Sequence, residues 1–303
     1  MTDFATSPLA AVSSALADVV ARVSPAIVSV HSHRSRASGF VWKPGLVVTA
    51  DEALAEEGEV SIRLADGTEH AATIAGRDHT TDIALLRFEA KTEVKAEANT
   101  QAKSMAPIAL SPIVPPLGSL AVVVAAEGGV ATSSLGMVSL VGERWRSLRG
   151  GDIDARVELD VRLRRSHEGG LALDAAGHAF GMAVLGPRRV LTIPAATIDR
   201  VAARLESHGR IARGYLGLGL QPVRLDDGVG AMVMNVDKQG PAASAGIRQG
   251  DVIVGINGEK IAGVRALVRS LGPDSVGSTV DLAVQRAGAA VNVKLVIGER
   301  PEA

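Results

Sequence analysis

The run GPAASAGIRQGDVIVGINGEKI, residues 240–261, carries four structural signals in a row. Pro241 opens a short helix and the Ala-Gly pair at 245–246 closes it. Gly250-Asp251 then turns the chain, an apolar β-branched run comes next, and Asn257-Gly258 reads as a tight turn. Working outward, strand-like runs occur at GYLGLGLQPV, GAMVMNV, DVIVGING, TVDLAVQRAG and AVNVKLVIG, with a second helical stretch at VRALVRSL. Five strands and two helices between Arg213 and about Gly298 make a compact module with its own core.

Upstream the texture differs. Leu9, Val12, Leu16, Val19, Val20 and Val23 recur at spacings of three and four, which predicts a helix that Pro25 stops. From Ala26 to about Ile193 the chain is a succession of short β-branched runs, among them AIVSVHS, IALLRF, SLAVVVAA and ARVELDVRL, with hairpin signals at Asp66-Gly67 and Ala176-Gly177. That pattern predicts an all-β barrel or sandwich. A second helix is expected at AATIDRVAARLESHG, with Ile198, Val201 and Leu205 on one face and Gly209 ending it, as a bridge between domains. The implied layout is an N-terminal helical arm at 1–24, a β-rich domain at 25–198, a linker helix at 199–212 and the small module at 213–300.

Composition narrows the function classes. The 303 residues are 47% hydrophobic but only 2% aromatic, so the cores must be built from Ala, Val, Leu and Ile. A net charge of -1 gives no field to attract nucleic acid or an anionic membrane. With no cysteine, disulfides, thiolate zinc sites and a cysteine nucleophile are excluded. The N-terminal run has Asp3 and no basic residue before its apolar positions, while Asp18 and Arg22 interrupt the apolar stretch itself. It does not read as an export signal, and no uninterrupted apolar run of about 18 residues suggests a membrane span. The expectation is a cytoplasmic protein, or a periplasmic one if a native leader is missing from the sequence.

The 240–261 run resembles the bacterial-type PDZ domain in motif order and spacing. By that resemblance the module captures an extended chain end as an added strand, with backbone amides of a loop receiving the terminal carboxylate. Tyr215, Leu216, Gly217 and Leu218 match the loop, and Val264, Leu267 and Val268 lie on the helix that walls the groove. The plainer alternative makes Leu216, Leu218 and Leu220 core residues of an edge strand.

The β-rich part resembles the trypsin-like domain of the HtrA/Deg serine proteases, so the fold class implied is mainly β, a trypsin-like double β-barrel followed by a small α+β PDZ domain. The family's Leu-Thr-Asn-x-His-Val segment corresponds to LVVTADEAL, with Glu52 at the position of the general-base histidine. The acid segment is reproduced in DHTTDIALLR, with Asp82 as the retained aspartate. In ELDVRLRRSHEGGLAL, Asp160, Gly169 and Gly170 hold the register of the nucleophile segment, so Glu168 falls on the serine. Ser166 falls on the oxyanion-loop glycine and His167 on the asparagine. Moving the nucleophile to Ser166 would displace the attacking oxygen by roughly 6 to 7 Å, and neighbouring residues of an extended chain point to opposite faces.

Acyl transfer on this scaffold needs a nucleophile, a base, an orienting acid and two backbone amides; of the three side chains only Asp82 keeps its place. The resemblance brings Glu52, Asp82 and Glu168 together, and three carboxylates in one cleft require a proton or a cation among them. Arg162, Arg164 and Arg165 are the sequence candidates for that cation. A divalent metal, aided by His31 and His33 on one strand face, is the alternative, and no cofactor is expected. The predicted function is a noncatalytic protease homologue, a scaffold that binds C-terminal or extended peptide segments. The alternatives are an active serine endopeptidase in protein quality control and a metal-binding module at the former triad. The resemblance further implies a homo-oligomer, a trimer, to which the arm with Phe4 would contribute.

Overall fold

In a computed structural model, which describes residues 7–56, 58–89, 106–226, 228–272 and 275–301, the chain divides into two compact units, Met1–Arg210 and Ile211–Ala303. Phe4 lies outside the described residues.

The first unit holds two closed six-stranded barrels. Strands β1 (Ile27–Ser32), β2 (Ser35–Lys43), β3 (Leu46–Thr49), β4 (Val60–Arg63), β5 (Glu69–Asp78) and β6 (Ile83–Phe88) close in the order β1-β2-β3-β6-β5-β4. The second barrel is formed by β7 (Leu120–Glu127), β8 (Val130–Gly142), β11 (Arg156–Asp160), β12 (Gly170–Asp174), β13 (Ala179–Leu185) and β14 (Val190–Pro194). Its order is β11-β14-β13-β12-β7-β8, and the hairpin of β9 (Trp145–Arg146) and β10 (Asp152–Ile153) lies between β8 and β11 in the chain. Closure removes the free edges that a run of antiparallel strands would otherwise expose. Inward positions alternate as the period-two pattern requires: in β11, Val157 and Leu159 are buried while Arg156 and Asp160 are exposed. Both expected hairpins form, with Gly67 and Gly177 at positive φ.

The barrel cores are aliphatic, with Phe40 and Phe180 among the largest fully buried side chains. The helix Pro8–Val23 buries Val19 and Val23, and Ser24 continues it into a 3₁₀ turn around Pro25. By length and composition Pro8–Ala26 suffices to cross a membrane, a test that a signal sequence or a core helix also passes. Contrary to the expectation from the sequence, Asp18 and Arg22 do not remove that possibility. The helix Ala195–His208 ends on Gly209 in the left-handed region and packs on β5, β6, β13 and β14. Trp42 Nε1 donates to Asp199 at 2.8 Å, and Thr197 and Arg200 bond Asp154, so this helix is fastened to the barrels.

The second unit is a sheet in the order β16-β17-β18-β20-β21, with β19 (Glu259–Lys260) beside β18. Its strands are β16 (Leu218–Leu225), β17 (Gly228–Val236), β18 (Val252–Ile256), β20 (Thr279–Arg286) and β21 (Ala289–Val296). The short pair β15 (Gly214–Tyr215) and β22 (Gly298–Glu299) joins the module's two ends. Helices Pro241–Ser244 and Val264–Ser270 cover a core that includes Ala231, Ile253, Leu267, Leu282 and Leu295.

Candidate functional site

In the first unit, the turn between β5 and β6 is built by Asp78, whose buried carboxylate accepts from the Thr80 amide at 3.0 Å and the Thr81 hydroxyl at 2.7 Å. This turn delivers Asp82 with φ 58, a left-handed conformation that aspartate tolerates better than most residues. Asp82 Oδ1 accepts the Glu52 amide at 2.7 Å. Burial, together with the nearby carboxyls of Glu168, Glu52 and Asp51, pushes the Asp82 pKa up to about 7, against the lowering effect of the Glu52 amide. Glu168 is also buried and its pKa is raised, chiefly by desolvation, with Glu52 adding repulsion; the Leu185 amide donates to its Oε1 at 3.0 Å. Glu52 is exposed and pairs with Arg149 at 3.0 Å.

The structure thus places Glu52, Asp82 and Glu168 close enough to repel one another, and the counter-charge is split. Arg149 in the β9–β10 hairpin, which the sequence did not suggest, pairs with Glu52, while Arg165, one of the three arginines expected from the sequence, is the charge that favours ionised Glu168. Arg162, Arg164 and Arg165 are exposed, and Arg164 approaches Glu127 at 3.8 Å. The reason is local: β11 ends at Asp160, and the chain then reaches the 3₁₀ turn Arg165–His167 instead of continuing as a strand. Arg149 also donates to the His79 carbonyl, and Ser147 Oγ to the Thr80 carbonyl, tying the hairpin to the turn that carries Asp82. Beside this cluster the buried Asp51 is held by Arg77 on one oxygen and His79 on the other.

Among the described residues no serine hydroxyl meets a base in this cleft. His167 faces Thr132 and Glu127, at 3.4 and 3.6 Å, and the Ser166 carbonyl accepts from the Ser38 hydroxyl at 3.0 Å. The Glu168 amide, which in the resemblance would help hold an oxyanion, donates to the Arg165 carbonyl at 3.2 Å. Gly169 has φ +88, and a Cβ on it would lie 2.1 Å from the Ser38 carbonyl oxygen, so glycine alone fits.

The metal alternative loses the histidine pair. Strand β1 ends at Ser32, and His33 lies in the turn with φ 52, so His31 and His33 do not share a strand face. Among the described residues no group of three or more His, Asp or Glu side chains is arranged to hold a metal ion.

In the second unit, the Leu216 carbonyl accepts from Ala242 at 2.9 Å and the Gly217 carbonyl from Asp237 at 2.8 Å. In a trans peptide the N–H points opposite to the preceding C=O, so the Gly217 amide points away from Ala242 and the Leu218 amide away from Asp237. Gly217 has φ +75 and approaches Gly240 closely, and Tyr215 Oη donates to Asp237 Oδ2 at 2.8 Å, bracing the loop. Leu216 and Leu267 are core residues, Leu218 is partly buried against that core, Val264 is partly buried, and Val268 is 55% exposed. Strand β16 is the sheet's edge, and the helix Val264–Ser270 runs beside it.

Sequence reasoning passes over Arg149, Asp51, Arg77 and His79. His79 stands inside DHTTDIALLR and so is within view, but the pairing of Arg149 with Glu52 crosses between distant loops and leaves no local pattern.

Comparison with known families matches residues 37–182 to the trypsin-like peptidase domain and residues 214–297 to the PDZ domain. A "probable periplasmic serine endoprotease DegP-like" of Bartonella henselae is 32% identical over 292 residues, covering 89% of this chain and 55% of that protein. Proteins of the same name from Brucella suis and Chlamydia trachomatis are 29% and 28% identical. They cover 88% of this chain in each case, and 53% and 54% of their own lengths. The chain therefore spans about half the length of the curated relatives it matches. Among solved structures, the HtrA-type protease AlgW with a decapeptide superposes with TM-score 0.72 at 22% identity, covering 95% of this chain and 99% of that one. A serine endoprotease from Yersinia pestis gives 0.71 at 23%, covering 94% and 98%. At that identity these two superpositions speak for the fold alone.

Proposed function

The chain belongs to the HtrA-type proteases, with a trypsin-like domain followed by a PDZ domain, and on that premise we propose that it is a noncatalytic member that binds peptide ends. The observation that carries this reading is the side-chain chemistry of the cleft. Glu52 and Glu168 occupy the positions matched to the base and the nucleophile, and Asp82 accepts a backbone amide where a triad acid would orient an imidazole. A carboxylate at the nucleophile position has no alkoxide to offer, and the engaged Glu168 amide leaves the oxyanion seat incomplete. The PDZ unit supplies the remaining function: an open strand edge beside a pair of outward-turned amides suits an extended C-terminus.

The second reading is an active serine endopeptidase, favoured by the names of the relatives. An irreversible fluorophosphonate probe separates the two. The noncatalytic reading expects no covalent adduct on the folded full chain, while a fluorescein-labelled pool of C-terminal decapeptides binds and loses binding on C-terminal amidation. An adduct on any serine supports the protease reading instead.

Exported localisation fits this family better than the cytoplasm. The curated relatives are periplasmic by name, and the apolar Pro8–Ala26 helix is compatible with a targeting segment; the cytoplasmic expectation finds no support. We retain the trimer and the separation of arm, β-rich domain and PDZ module as part of the proposal, with the helix Ala195–His208 kept whole beside the barrels. Leu9 and Val12 on the N-terminal helix, 77% and 47% exposed, are apolar surface that self-association would cover.

A further inference from the structure

The far end of the PDZ groove has features that its carboxylate seat does not explain. Strand β16 is paired on one side by β17, and its register sets Pro222 opposite Ala231. Proline has no N–H, so it sits in a paired strand where its nitrogen faces away from the partner, toward the open edge. Residues two apart in a strand share that orientation, so Leu220 offers its N–H and C=O to an added strand, whereas Pro222 offers only a carbonyl. A captured peptide, its end seated near Leu218 and running back along β16, loses the donor ladder about four residues before its terminus. Beyond that point side chains must do the recognising.

The side chains there form a cavity of about 600 Å³, lined by Val223, Val229 and Val264 for its apolar part and by Arg224, from β16, and Arg265, from the helix Val264–Ser270. Both arginines are exposed, and among the described residues neither makes an ion pair, Asp226 at the neighbouring turn included. Two guanidinium groups in a cavity that is otherwise lined with valines match a side chain with an aliphatic stem and a carboxylate tip.

Resting on the reading that this groove captures C-termini, we infer that it selects peptides with a glutamate four to six residues before the terminus, its carboxylate taken by Arg224 and Arg265. The partner class is thus an apolar chain end preceded by an acidic stretch.

The test uses the full chain and three fluorescein-labelled decapeptide pools. The last four residues are randomised among apolar types, and the three residues before them are all Glu, all Gln or all Lys. Fluorescence anisotropy should rank the pools Glu, Gln, Lys, with the Glu pool about tenfold tighter than the Lys pool at low salt. The gap should close at high salt, where exposed charges are screened. In the Arg224→Gln/Arg265→Gln double variant the Gln pool should bind as before and the ranking should vanish. Equal binding of all three pools to the unmodified chain overturns the acidic preference and leaves peptide capture standing. Binding by none of them overturns both. A ranking that survives in the double variant overturns the assignment to these two arginines.

Discussion

Two buried acidic sites, one in each unit, have opposite solutions to the same electrostatic problem. In the PDZ unit Asp251, at the Gly-Asp turn, is 2% exposed and gripped by Arg286 through two bonds of 2.8 and 2.7 Å, while the Arg248 amide adds a third at 2.8 Å. The Arg286 contact holds its pKa below the ordinary carboxylate range. In the barrel unit the half-buried Asp82 and the buried Glu168 have other carboxyls as neighbours, and both pKa values rise. A buried carboxylate with a fitted guanidinium is a structural fixture, whereas buried carboxyls without one must take up protons. The first arrangement closes a turn. The second gathers three carboxyls in one cleft.

The largest test of this contrast is the pH dependence of stability. Asp82 has an ordinary pKa of 3.8 and a folded value of about 7. Between those values the folded state binds more protons than the unfolded one, so the stabilisation is fully present below about pH 4 and is lost as pH rises through 7. At ~1.4 kcal/mol per pH unit the loss is bounded at roughly 4 kcal/mol. Urea unfolding of the barrel unit between pH 4.5 and 8 should therefore fall in midpoint, and the slope should flatten in Asp82→Asn/Glu168→Gln, which mimics the protonated pair. A wild-type midpoint that climbs over this range would break the contrast. For the PDZ unit, Arg286→Ala strands the Asp251 charge and should cost about 3 kcal/mol in the same measurement, with Arg286→Lys recovering part of it. The smallest effect belongs to Arg149→Ala. Its pair with Glu52 has both side chains about half exposed, so the stability change should stay under about 1 kcal/mol and shrink with added salt.

The fold was legible because its signals are local. The Pro241 helix start, the Gly250-Asp251 turn and Asn257-Gly258 each state a backbone geometry, and β-branched runs with glycine turns announce strands. That Glu52, Asp82 and Glu168 come near one another followed from motif register, since each is fixed in its motif by neighbours a few residues away. Their counter-charge followed only in part. Arg149 reaches Glu52 across a hairpin, and of the arginines nearer in sequence only Arg165 bears on Glu168, while Arg164 approaches Glu127. The His31 and His33 pairing failed because the strand ends one residue earlier than the pattern implied.

The most direct measurement of the central claim is incubation of purified full chain with unfolded casein from pH 5 to 9, with mass spectrometry of the products and a Glu168→Ala control. The account predicts intact casein throughout, in a preparation that binds C-terminal peptides. Fragments that appear with the unmodified chain and vanish in the control would contradict it, and would make Glu168 part of a working active site.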